Sequence, residues 1–326
     1  MADEPVKGWN HMPAVPLHVS PLFEWPLRPK AILSWFWHSW FLISERLMIV
    51  AIAFVCVTWF QPPLEETKTL AIDWIAEMWV RNVVLMSLVA GGLHLYFYTF
   101  TAQGQALKFD PRPLMKNGRQ FTLGGQIRDN MFWTLASGVT VWTGYEALLF
   151  WAMANGYAPV LTFANSPIWF VALFFLIPIW ESFYFYWIHR LLHVPFLYRH
   201  VHALHHRNIN VGPWSGMSMH PVEHLIFLGS ALIHFMVPAG PVHVLYHLQY
   251  YALTAATTHT GFEGILARDK NRMKLGTFHH QMHHRYFECN YGSLEIPWDK
   301  LFGSFHDGTV AANERIQARR KRMSGN

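Results

Sequence analysis

Three short stretches of this chain carry histidines at spacings that put imidazoles on one face of a helix. His189 and His193 are four residues apart; His202, His205 and His206 sit at i, i+3 and i+4; His280, His283 and His284 repeat that spacing. Helical residues three or four apart have Cβ atoms about 5–6 Å from each other, so each stretch can offer two or three nitrogens to a metal. Imidazole is a ligand for zinc, copper, iron and nickel. Eight ligands in three clusters are too many for one ion and suit two. Sixteen of the 21 histidines fall between His189 and His284. His200, His234, His243, His247 and His279 in that region, and His11, His18, His38, His94 and His306 outside it, read as structural or interfacial side chains.

What is absent narrows the chemistry. No Glu is followed three residues later by His, so the carboxylate di-iron pattern of ferritin-like bundles is missing. No His-x-Asp or His-x-Glu opens a facial-triad iron site. GxGxxG, Walker A and GxSxG motifs do not occur, which removes the support for nucleotide or flavin binding and for serine hydrolysis. The only two cysteines, Cys56 in an apolar run and Cys289 far from it, supply no disulfide framework, cysteine-based zinc site, haem thiolate or iron–sulfur cluster.

The elements that must position these imidazoles are apolar. Of 326 residues, 52% are hydrophobic, 16% aromatic and only 14% charged, against about 25% charged in an ordinary soluble domain. The mean hydropathy is +0.14. Disordered, coiled-coil and collagen-like chains are excluded. Four long runs, Leu47–Phe60, Val83–Ala106, Met131–Met153 and Pro167–Ile188, carry no charge beyond Glu146 and Glu181. A helix needs about 20 apolar residues to cross a bilayer, so the expectation is four spanning helices. Leu225–Pro238 and Val242–Thr258 are shorter or dotted with His and Gln, as re-entrant or interfacial helices are.

Basic residues set the expected orientation. The loop Gln103–Asp129 holds Lys108, Arg112, Lys116, Arg119 and Arg128, and fourteen more Lys and Arg come after Ile188. Both termini and the histidine clusters are therefore expected on the cytoplasmic side of a multi-pass membrane protein. With no targeting feature read in the sequence, a bacterial inner membrane is expected ahead of the endoplasmic reticulum. A net charge of +5 calls for anionic lipid head groups, not nucleic acid. The expected fold is all-α. A cytoplasmic arm with an interfacial helix spans residues 1–42 and the transmembrane helices span 43–188. A His-rich helical cap covers 189–310, and a basic tail covers 311–326.

The three histidine stretches, in this order behind apolar helices, resemble the membrane di-iron fatty acid hydroxylase/sterol desaturase superfamily. Tyr186-Trp187-Ile188, His220-Pro221-Val222-Glu223, Asn290-Tyr291-Gly292 and Trp298-Asp299-Lys300-Leu301-Phe302-Gly303 add to the resemblance, which covers roughly residues 125–305. It implies two iron ions, with O2 as co-substrate, held by His189, His193, His202, His205, His206, His280, His283 and His284. His259 fits by context as a ninth ligand and His220 as a tenth, although Pro221 also suits His220 to starting a helix. Glu181, eight residues before His189 on the same face, reads as an acceptor for a ligand N–H ahead of a carboxylate facing a polar cavity. Glu223 is a second candidate for such support.

The resemblance implies oxidation of an unactivated C–H bond in a membrane-embedded lipid. The leading expectation is a fatty acyl or lipid hydroxylase; the alternative is a sterol-ring desaturase. The two share the first hydrogen abstraction and diverge after it, and the motifs do not decide between them. Two electrons are needed per turnover and nothing in the chain provides them, which implies a ferredoxin or a small cytochrome with its reductase. Arg190, Arg199, Arg207, Arg268, Lys270, Arg272 and Lys274 are candidates to dock such a donor, or simply to meet lipid phosphates. Two other classes are open. His220-Pro221-Val222-Glu223-His224 matches the H-x-x-E-H pattern of a membrane zinc metalloprotease but leaves eight better-arranged histidines without a purpose. A metal transporter would place its ligands within broken helices near the midplane, whereas these clusters lie beyond the apolar runs.

Overall fold

The computed structural model describes residues 6–41, 44–268 and 270–324. Residues 42 and 43, where the arm was expected to meet the transmembrane part, and the last two residues of the basic tail lie outside the described residues.

Helix starts reflect local chemistry. The Ser44 hydroxyl accepts the Leu47 N–H at 3.3 Å and opens α2, Glu45–Trp59, which comes after α1, Pro29–Trp40. Proline occupies the first turn of α5 (Pro167–Leu192), α7 (Pro221–Phe235) and α8 (Pro241–Thr258), where its missing N–H costs nothing. Between α2 and α5 lie α3 (Ile72–Thr99) and α4 (residues 126–154). After α5 the chain re-enters helix as α6, residues 195–206, through a π turn at Tyr198–His202. Val194 is extended ahead of Pro195, as a residue preceding proline tends to be, and this breaks α5 from α6. The hydroxyl of Thr277 caps α9, Phe278–Tyr286, and the short α10, Trp298–Leu301, and α11, Val310–Ser324, close the chain.

Three stretches among the described residues are long and apolar enough to cross a membrane: Pro29–Trp59, α3 and α5. Four were expected. Met131–Met153 falls within α4, where Thr134, Ser137, Thr140, Thr143 and Glu146 dilute the apolar run. Its side chains Val139, Trp142, Leu149, Phe150 and Ala152 are buried against neighbouring helices. The second run also begins earlier than expected, because α3 starts at Ile72 and takes in Arg81 and Asn82. Arg81 pairs with Glu146 of α4, whose carboxylate also receives Asn82 Nδ2 at 2.9 Å and Trp142 Nε1 at 2.7 Å. A buried charge pair is tolerated only when its remaining valences are met in this way.

Helix α8 runs through the centre, buried along most of its length, and packs on α2, α4 and α5. Its last turn meets the first turn of α2 through Thr257 and Glu45, so α2 begins at the histidine end of the bundle. The chain is not all-α. β1 (Gly264–Ala267) and β2 (Lys270–Lys274) form an antiparallel hairpin. Its polar, basic second strand, Lys-Asn-Arg-Met-Lys, shows no apolar alternation that would have flagged it.

Candidate metal centre

Four elements bring nine imidazoles together. The last turn of α5 supplies His189 and His193, α6 supplies His202, His205 and His206, the end of α8 supplies His259, and α9 supplies His280, His283 and His284. They sort into two adjoining groups: His189, His193, His202, His206 and His283, and separately His205, His259, His280 and His284. Within each group one nitrogen per residue lies within 4.8 Å of all the others. Eight of the nine are buried, and His193 is nearly so. The two stretches with the i, i+3, i+4 spacing each straddle the divide: His202 and His206 face one group and His205 the other, while His280 and His284 face the second and His283 the first.

The outer nitrogens fix which atom faces inward. His189 Nδ1 lies 2.7 Å from the Tyr291 carbonyl, His283 Nδ1 2.6 Å from that of Cys289, and His259 Nδ1 2.7 Å from that of Ala255. A carbonyl only accepts, so each Nδ1 carries the proton and each neutral ring presents a bare Nε2. His202 Nδ1 lies 2.6 Å from Glu223 Oε1. Burial, reinforced by neighbouring imidazoles, pushes His202, His206, His280, His283 and His284 well below the usual histidine range. Burial brings His259 down to about 4. These rings are therefore neutral near pH 7, the form that binds metal.

The inward nitrogens are packed closer than their protons allow. His259, His280 and His284 form a triangle of Nε2 atoms with edges of 3.0, 3.1 and 3.2 Å. His206 Nε2 lies 3.1 Å from His193 Nε2 and 3.0 Å from His283 Nε2. Since His259 and His283 have committed their only N–H outward, and every other ring has a single N–H to give, these edges cannot all be met by linear N–H···N bonds. A cation relieves that. At a metal–nitrogen distance of about 2.1 Å, right-angle coordination needs nitrogens about 3.0 Å apart and tetrahedral coordination about 3.4 Å. The observed edges are closer to the former, and the donor set fits a metal of the zinc, copper, iron or nickel group in each set of nitrogens.

The other expected residues fall elsewhere. His220 belongs to neither group; its Nδ1 accepts the Val222 N–H at 3.2 Å and caps α7. Glu181 touches none of the nine imidazoles, being bonded instead to Ser230 and His247. Glu223 does support one, through His202, and burial holds its carboxyl well above the usual range. The H-x-x-E-H motif does not assemble, because His224 spends both nitrogens on Ser137 and the Met217 carbonyl, at 2.9 Å each. Of the basic residues, Arg207 is engaged by Asp129, whereas Arg268, Lys270, Arg272 and Lys274 stand exposed on the hairpin.

The carbonyl acceptors were not foreseen. The Tyr291 carbonyl is held in place by Asp299, whose carboxylate takes the N–H of Tyr291 and of Gly292 at 2.8 Å each. Asn290 adopts a left-handed φ of 57°, a conformation asparagine tolerates better than most residues. Its amide ties the carbonyls of His279 and His306 at 3.1 and 3.0 Å. The signal was present in the Asn290-Tyr291-Gly292 and Trp298-Asp299 segments, but as neighbours of the clusters without a role.

The model of the fatty acid hydroxylase family matches residues 171–304, the stretch that contains all nine imidazoles. A Delta(7)-sterol 5(6)-desaturase of Aspergillus fumigatus is 29% identical over 68% of this chain and 65% of its own length. A Delta(7)-sterol 5(6)-desaturase of Gibberella zeae is 33% identical over 36% of this chain and 37% of its own. A lathosterol oxidase of Rattus norvegicus is 29% identical over 71% of this chain and 78% of its own. The chain thus spans less than two thirds of the two fungal relatives. No solved structure matches it.

Proposed function

We propose that this chain is a member of the fatty acid hydroxylase/sterol desaturase superfamily and a membrane-bound, O2-dependent di-iron oxidase of a lipid C–H bond, acting as a sterol-ring desaturase; the family model over residues 171–304 and the sterol desaturase relatives support the reading. The observation that carries the di-iron reading is the sorting of nine buried imidazoles into two adjoining sets of bare nitrogens. The sterol reading, second to acyl hydroxylation in the sequence, is favoured by the sterol 5(6)-desaturases among the relatives.

His189, His193, His202, His206 and His283 would hold one iron, and His205, His259, His280 and His284 the other. Bound there, the iron pair supplies oxygen activation and hydrogen abstraction, chemistry no side chain here can perform. The chain's own contribution is placement. Carbonyls and Glu223 hold the rings in one tautomer, the neutral rings leave the metals' charge uncompensated, and buried walls exclude water. Desaturation removes two hydrogens from the lipid, takes two electrons and two protons from outside, and reduces O2 to two waters. The electrons come from an external ferredoxin or small cytochrome, for which the exposed cations of the β1–β2 hairpin offer a landing surface complementary to an acidic partner. The eukaryotic sources of the relatives favour an endoplasmic reticulum membrane over the bacterial inner membrane expected from the sequence. The cap at residues 189–310 is the catalytic unit in this reading, facing the cytoplasm.

The test is the iron content of detergent-purified protein, then incubation with a Delta(7)-sterol, O2 and a reduced donor. A product lighter by two hydrogens supports desaturation. A product heavier by one oxygen returns the protein to the hydroxylases, and iron-free protein with no turnover sinks the reading.

A further inference from the structure

Glu181 on α5 and Tyr251 on α8 each precede a clustered imidazole, His189 and His259, by eight residues, about 12 Å along a helix. Both are buried, at 3% and 5% exposure. Glu181 Oε1 is fully engaged: it accepts the Ser230 hydroxyl at 2.8 Å and pairs with His247, whose Nδ1 lies 2.9 Å from His234 Nε2. Glu181 Oε2 and the Tyr251 hydroxyl have no hydrogen-bond partner among the described residues. Orphaned polar atoms are rare in buried surroundings, and an ionisable group at membrane depth ordinarily marks a functional site. The cluster thus keeps one acceptor and one donor in reserve, with Ser230 and His247 fixing the carboxylate that presents the acceptor.

Flat apolar rings separate this pair from the imidazoles. Phe185 lies 4.8 Å from the His189 ring and 6.3 Å from that of Tyr251, and Phe227 stacks on Tyr251 at 3.8 Å.

We propose that Glu181 and Tyr251 receive the hydroxyl of the lipid substrate, Glu181 Oε2 accepting its proton and Tyr251 donating to its oxygen, with the attached rings lying against Phe185 and Phe227. This rests on the reading of the chain as a sterol oxidase. A sterol is an alcohol whose hydroxyl oxygen stands about 4 Å from the second ring carbon beyond the one that bears it, at C–C bonds of about 1.5 Å. Adding a hydrogen bond of about 2.7 Å brings such a carbon to within a few ångströms of the imidazole layer. The pair therefore sets both the class of lipid admitted and the carbon presented.

The experiment is binding of a saturated 3-hydroxysteroid, the matching ketone and the matching methyl ether to the full chain in micelles, read by quenching of tryptophan fluorescence. The wild type should favour the alcohol about tenfold over the ketone and the ether, since only the alcohol can donate to Glu181. Glu181→Gln offers an amide N–H in place of the acceptor. It should weaken the alcohol and strengthen the ketone, erasing the preference, with metal content unchanged. Tyr251→Phe should weaken the alcohol and the ketone together. An alcohol-to-ketone ratio identical in wild type and E181Q overturns the inference, including where all three ligands weaken equally through a packing defect. If the wild type binds no steroid, the sterol reading fails. A long-chain fatty alcohol against its methyl ether then judges the hydroxyl receptor alone: a preference abolished by E181Q supports it, and no preference overturns it.

Discussion

His283 and His284 are consecutive residues whose imidazoles lie in different groups: His283 Nε2 is 3.0 Å from His206 Nε2, and His284 Nε2 is 3.1 Å from His259 Nε2. Successive residues on a helix point about 100° apart, so α9 stands between the groups and feeds both. His205 and His206 do the same from α6, which makes the paired histidines of these two helices the common wall of the centre.

That wall predicts separable metal loss. His283→Ala and His284→Ala should each cost about half of the bound metal, since metal affinity depends on the full ligand count, and each should abolish turnover. Elemental analysis of the two purified variants checks this. Complete metal loss in both would mean that the two groups load as one unit.

Glu223 holds His202 from outside through Nδ1. Glu223→Ala should lower activity or metal affinity by about 10–100-fold, the usual effect of removing a ligand's hydrogen-bond partner. Glu223→Gln keeps an acceptor oxygen in place and should lose much less. Iron titration of the three proteins decides it. A protease using Glu223 as general base would instead be inactivated fully by Gln.

Much of the candidate centre could be read from residue order because its imidazoles sit at helical spacing. Eight of the nine grouped imidazoles come from the three spaced stretches, and His259 from its context. Their sorting could not be read, because it depends on how α6 and α9 approach each other across some 75 intervening residues. His220 stands outside both groups: beside Pro221 it does what an N-cap residue does. Glu181 and Arg81 misled for a shared reason, that the partner of a buried polar side chain is set by tertiary packing. Glu181 lies on the face leading to His189, yet its partners, Ser230 and His247, come from α7 and α8. Arg81 fell outside the expected run Val83–Ala106 because its partner Glu146 is 65 residues away.

Asp299 acts on the centre at one remove, by holding the loop whose Tyr291 carbonyl fixes His189. Asp299→Ala strands two buried N–H groups as well as the Ser304 hydroxyl, and should cost about 3–9 kcal/mol at about 1–3 kcal/mol for each of the three stranded groups. Thermal unfolding monitored in detergent should show a lower midpoint, and the metal lost should be that of the His189 group. Recovery of the second metal alone in the variant would place the effect there; an unshifted midpoint would show that the loop needs no anchor.

The Arg81–Glu146 pair offers a test of what polar side chains contribute inside the bundle. Glu146 Oε1 is satisfied by Trp142 and Oε2 by Asn82 and Arg81, while Arg81 also reaches the Gln61 side chain at 2.6 Å. Removing Arg81 alone, as Arg81→Met, leaves a buried carboxylate without its cation and should destabilise by about 3–5 kcal/mol. Removing both charges, as Arg81→Met with Glu146→Gln, takes away the uncompensated charge. The Gln carbonyl can still accept from Trp142, and once the Asn82 amide turns over the Gln N–H can donate to Asn82 Oδ1, freed by the loss of Arg81, so the double variant should recover most of that loss. The pair lies on α3 and α4, away from the imidazoles, so metal content in the double variant should match the wild type. Equal destabilisation in the single and double variants would instead mean that Arg81 matters through its long apolar stem and not through its charge.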